Sequence, residues 1–143
     1  MEPRSRRPRP IRPSNCDRVF DPAPNRILVF GSNLAGVHAV GTERFAYNWC
    51  GAEWERGLGL MGNCYAIPIR GPRLQVLKLE EIKNYVDDFV LFAWERRDLE
   101  FFIARLGCGR GEYQPTDIVP LFKEAPPNCE LPPGWEKYSE DSE

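Results

Sequence analysis

Two glycine-rich segments hold most of the side chains in this chain that could do chemistry. The first, residues 26–41, reads RILVFGSNLAGVHAVG. An apolar run ends at Gly31, Ser32 and Asn33, and Gly36 and Gly41 then flank His38, the single histidine. A strand, a glycine-rich turn and a helix in that order make a phosphate-holding device. Glycine lets the backbone approach the anion, and the first helical N–H groups have no partner within the helix. The second segment, residues 106–113, reads LGCGRGEY and sets Gly107, Cys108, Gly109, Arg110 and Gly111 after another apolar run and before a predicted helix. In a parallel sheet both segments leave the carboxyl ends of strands, where open α/β folds bind ligands. Two such loops can grip a diphosphate from opposite sides through backbone N–H groups.

The side chains in these loops each admit two readings. His38 can bond phosphate or act as acid or base near neutral pH, or it is a polar surface group. Asn33 can face a ligand, or turn the chain by bonding its own backbone. Ser32 lacks the GxSxG setting of a nucleophile. Cys108, between glycines and ahead of a helix, sits where a thiol pKa can fall, or it is small-residue packing. Arg110 meets a phosphate or only solvent. Glu43 and Glu112 are the carboxylates nearest the loops and the candidate bases for activating water, or else helix-start and surface charges. Trp54 and Tyr113 are the aromatics best placed to stack on a base. The absence of GKS or GKT excludes a Walker-type loop, and glycines at 31, 36 and 41 do not fit GxGxxG.

The elements that must position these groups alternate. Residues 26–30 read as a strand, 42–50 as a helix with Gly51 as its left-handed cap, and 63–69 (NCYAIPI) as a strand that Pro68 confines to an edge or an end. The glycines of GLGLMGN make the approach to that strand a flexible loop. Residues 79–97 form the strongest helical pattern, with Ile82, Tyr85, Val86, Phe89, Phe92 and Ala93 at three- and four-residue spacing. FFIAR, 101–105, reads as a strand covered on both faces; a short helix from 116 to 123 and an extended piece at 129–131 follow. Trp49, Phe89, Phe92, Phe101 and Phe102 read as core. Strands and helices in alternation predict a helix–sheet–helix sandwich with a small, mostly parallel sheet.

Composition bounds the rest. The chain has 143 residues, 42% of them apolar, which suits one globular domain. The domain is predicted to span 19–135, between two charged tails. Residues 1–18 carry six arginines against Glu2 and Asp17 and read as a disordered arginine–proline tail. Residues 136–143 form an acidic tail. The basic tail can touch nucleic acid or a host partner, but little else in the chain is strongly basic, so nucleic acid is not the favoured ligand. No run approaches the roughly 20 apolar residues that cross a bilayer, and the N-terminus has no secretory core. Five cysteines without CxxC spacing suit a reduced, cytoplasmic protein with no structural metal.

The segments GSNLAGVHAVGTERFA, NCYAIPI, LEEIKNYVDDFVLFA, FFIARLGCGRGEYQPTDIVPLF and APPNCELPPGW resemble a group of short phage-associated proteins, over residues 26–135. That group is similar in turn to a minimal macro domain. The resemblance implies an α/β/α module that binds ADP-ribose or a related adenine-nucleotide or NAD-derived metabolite, without a cofactor, in the cytoplasm of an infected host. It implies that Asn33 faces the distal ribose, that 36–41 corresponds to the catalytic loop, that 107–111 wraps the diphosphate, and that Tyr113 closes over the ribose. The chain departs from the group at Val37, Ala39 and Val40, where relatives carry an arginine and glycines. A hydrolase of ADP-ribosyl or cyclic-nucleotide bonds, with His38 or Glu43 positioning water, is the enzymatic alternative. An interaction protein acting through its basic tail is the other.

Overall fold

A computed structural model describes Phe20, Asp21, residues 23–108 and residues 112–135. Both charged tails, and Gly109, Arg110 and Gly111 of the second loop, lie outside the described residues.

The chain is an α/β protein built on a five-stranded, mostly parallel sheet in the order β2-β3-β1-β4-β5. The strands are β1 (Arg26–Asn33), β2 (Gly59–Met61), β3 (Cys64–Arg70), β4 (Glu100–Ile103) and β5 (Cys129–Glu130). β1 pairs in parallel with β3 and β4, β4 in parallel with β5, and only β2 runs antiparallel, against β3. The parallel strands therefore end on one edge of the sheet.

Central β1 is buried on both faces, and its pleat sends alternate residues to opposite sides. Ile27 and Val29 join Tyr65, Ile67, Phe101 and Ile103 beneath α2 (Leu79–Glu95). Leu28 and Phe30 join Phe20, Ala66 and Phe102 against the helical segment 41–50. Helix α2 contributes Ile82, Val86, Phe89, Val90 and Ala93, the stripe its sequence spacing predicts. Phe89 meets Tyr65 and Phe101 edge-on at centroid separations of 5.0 and 5.2 Å, the arrangement aromatic quadrupoles favour. Glu81 accepts a hydrogen bond from the Lys78 N–H at the start of α2, filling one unpaired terminal donor position.

Several readings of the sequence change. β1 does not stop at Phe30: Gly31, Ser32 and Asn33 pair with Ile67, Pro68 and Arg70, so these turn-forming residues are strand. Gly59–Met61 is a strand rather than a flexible approach, because Leu60 and Met61 pair with Tyr65 and Cys64. Pro68 sits in an internal strand, but beyond the last β2 pair at Ala66, so its missing N–H breaks no ladder on that side. The predicted 42–50 helix is α1 (Gly41–Phe45) continued by a wider π turn, Ala46–Cys50, and closed by Gly51 at φ +94°. The short helix after the second loop is α3 (Pro115–Ile118), tightened into a 3-10 turn over Val119–Phe122. Among the described residues no helix is long and apolar enough to cross a membrane.

Candidate functional site

A cleft of about 570 Å³ opens where β1, β3 and β4 end. That volume lies within the roughly 300–1,000 Å³ range of small-molecule sites. Gly31, Ser32 and Asn33 line it from β1, Ile69 and Arg70 from β3, and Ala104 to Gly107 from the end of β4. Gly31 is glycine for a steric reason. A Cβ there would stand 3.0 Å from both Ile69 Cγ1 and Leu106 Cβ, so the neighbouring strand ends close in only around a bare backbone. Gly107, at φ +78°, turns the chain out of β4 with Ile118 packed against it.

The first loop forms one wall, and it is fixed from behind. Asn33 donates from Nδ2 to the Val37 carbonyl and accepts from the Val37 N–H, each at 2.9 Å. Both ends of the amide are used inside the loop, so the turn-forming reading of Asn33 describes its side chain. Ser32 donates through Oγ to the Gly57 carbonyl. Gly36, at φ +72°, presses on the backbone of Glu55 and Arg56, where no Cβ fits, and its carbonyl accepts from the Glu55 N–H at 2.9 Å.

His38 belongs to this fastening and does not line the cleft. It is 1% exposed, with Nε2 at 2.8 Å from the Glu53 carbonyl and 3.0 Å from the Arg56 carbonyl. Two carbonyl acceptors at one nitrogen require that Nε2 carry the hydrogen and donate. Nδ1 is buried and without a hydrogen-bond partner. Phe30, Tyr47 and Trp54 surround the ring. The acid–base and phosphate-bonding readings of His38 therefore lose their geometry, and the surface-group reading fails with them. Trp54 is spent on the same aromatic group rather than on the cleft.

The other wall begins α1. Gly41, Thr42 and Glu43 line the cleft, Val40 stands at the N-cap position, and no side chain caps the first turn. Glu43 is half-buried, and burial pushes its carboxyl up to about 7; Glu112 adds to the rise and Arg70 opposes it. A carboxyl poised there can give or take a proton at neutral pH.

Comparison with protein families, curated proteins and solved structures returned no match.

The second loop is described only at its two ends. Gly107 and Glu112 line it. Cys108 faces the core beneath α2, and burial pushes its thiol up to about 11, the opposite of an activated thiolate. Tyr113 also packs on that core and donates to the Leu77 carbonyl at 2.6 Å, so its hydroxyl is committed away from the cleft.

Among the described residues two arginines outside both glycine-rich loops carry the positive charge of the cleft. Arg70 ends β3 and donates from Nε to Glu112 Oε2 at 2.7 Å. Arg105 follows β4 and donates from Nη2 to the Pro133 carbonyl at 2.7 Å, while its buried Nε has no hydrogen-bond partner. Among the described residues Arg105 pairs with no carboxylate. Both arginines terminate apolar runs, YAIPIR and FFIAR. A lone cation ending a buried strand was the signal that could have found them. The rim is apolar: Val37, Ala39, Val40 and Leu74 line it, with Val40 62% and Leu74 44% exposed.

Proposed function

We propose that this chain is a macro-like α/β/α sandwich that binds ADP-ribose, or a related adenine-nucleotide or NAD-derived metabolite, in the cleft at the strand ends. The observation that carries this reading is the pairing in one cleft of Arg105, whose charge meets no carboxylate among the described residues, with an exposed apolar rim. The Arg105 guanidinium attracts the phosphate, the uncapped first turn of α1 adds N–H groups, and Val40 and Leu74 flank a flat base. Binding in this form needs neither metal nor cofactor. Asn33 contributes by holding the wall, since its amide is already engaged with Val37. A thermal-shift series over ADP-ribose, NAD, AMP and cyclic nucleotides tests it. A ligand that binds only the native state raises Tm, by about 2.7 kcal/mol of added stability at a hundredfold excess over Kd. No shift with any of them at millimolar concentration rejects the reading.

A hydrolase in the same cleft is the second reading, favoured by the near-neutral carboxyl of Glu43. Glu43 takes a proton from an attacking water and passes it to the departing oxygen as the ADP-ribosyl or phosphodiester bond breaks. Turnover that disappears in Glu43→Gln supports it; binding without product release rejects it.

A further inference from the structure

We propose that Arg70 is an anion-binding residue which Glu112 occupies in the free protein, so that a phosphate-bearing ligand enters by taking the place of the Glu112 carboxylate. This rests on reading the cleft as a ligand site. Both residues line it, and the Arg70 side chain is 34% exposed against 12% for Glu112. The pair is geometrically incomplete. Nε and Nη2 of Arg70 converge on the same oxygen, Oε2, rather than each taking one oxygen of the carboxylate. A guanidinium fork is best matched by two acceptors side by side, which a phosphate supplies from any pair of its oxygens.

The third guanidinium nitrogen makes the exchange possible without loss of aim. Nη1 donates to the Leu74 carbonyl at 2.9 Å, which holds the plane of Arg70 while its partner changes. Leu74 is itself held at φ +64° in the turn that follows β3. Glu43 lies near enough to Glu112 to raise its own proton affinity, so the carboxylate on Arg70 already has a neighbour of its own sign. Glu112 swings out to solvent as the phosphate takes its place on Arg70. Arg105, with no competing carboxylate, receives the anion first.

The test is calorimetric titration of the full chain and its Glu112→Gln variant with pyrophosphate, in parallel with ADP-ribose. Removing the competitor is expected to tighten pyrophosphate binding about two- to fivefold, the scale of a partly exposed ion pair. A purely structural pair predicts the reverse, binding equal or weaker with a lower Tm, and that result overturns the proposal. Absence of pyrophosphate binding in both proteins overturns it as well. The Arg70 Nε–H resonance of the wild-type chain decides the matter should Glu112→Gln not fold. It is expected to shift on adding pyrophosphate, and an unmoved resonance at saturation contradicts the exchange. ADP-ribose binding unchanged by Glu112→Gln would sink the exchange and leave the nucleotide reading intact. Tighter pyrophosphate binding without ADP-ribose binding would do the opposite.

Discussion

Asn33 and Val37 are joined by two hydrogen bonds, one in each direction, that close the first loop on itself. Asn33 is 4% exposed, so neither bond is readily replaced by water. Asn33→Ala leaves the Val37 N–H and carbonyl without their partner and is expected to cost about 1–3 kcal/mol. For a domain of this size Tm should drop by about 3–5 °C per kcal/mol. Asn33→Asp keeps the acceptor for Val37 N–H but turns a carboxylate oxygen toward the Val37 carbonyl, and should not rescue the loss. Thermal denaturation of the two variants checks this; an unchanged Tm in Asn33→Ala would show that the loop is held by something else.

His38 gives a second prediction, because a fastening and a catalyst fail differently. His38→Ala strands the Glu53 and Arg56 carbonyls and empties the space among Phe30, Tyr47 and Trp54. The expected cost is about 2–4 kcal/mol of stability. In whatever fraction stays folded, affinity for a cleft ligand should remain within about twofold of wild type. Lost ligand affinity with an unchanged Tm would place His38 in the site after all.

The pH dependence of stability tests Glu43. Its folded pKa is raised from 4.5 to about 7. Between those values the native chain holds a proton that the unfolded chain releases, so the contribution is full below pH 4.5 and is lost as pH rises through 7. Glu43→Gln mimics the protonated form at every pH. It should be more stable than wild type at pH 8, and the difference should shrink steadily as pH falls toward 4.5. Denaturant titrations at pH 5, 6.5 and 8 give this comparison; parallel curves for the two proteins at all three would contradict it.

The framework was legible in the sequence where periodicity and burial coincide. Helix α2 and the strands β3 and β4 follow from apolar spacing, because these elements bury the stripe that defines them. Turn-forming residues misled where tertiary pairing overrides local preference. Gly31-Ser32-Asn33 looks like a turn, yet β3 supplies a partner strand for all three residues. Likewise β2 exists only because β3 offers its outer edge to a glycine-rich segment. At the site, the glycines and the helix start point to the first loop and Glu43. The role of His38 was not legible, because its partners are carbonyls 15 and 18 residues away with no side-chain signature. Arg70 and Arg105 carry no local signature of a site, because a single arginine after an apolar run marks the end of a strand whether or not it faces a cleft.

The measurement closest to the central claim is calorimetric titration of ADP-ribose into the wild-type chain and Arg105→Gln. Saturable one-to-one binding is expected for the wild type. Affinity should fall about tenfold or more in Arg105→Gln, the worth of a charge-assisted hydrogen bond to phosphate. Equal affinity in the two proteins, or no saturable heat in either while both remain folded, would contradict nucleotide recognition at the strand ends.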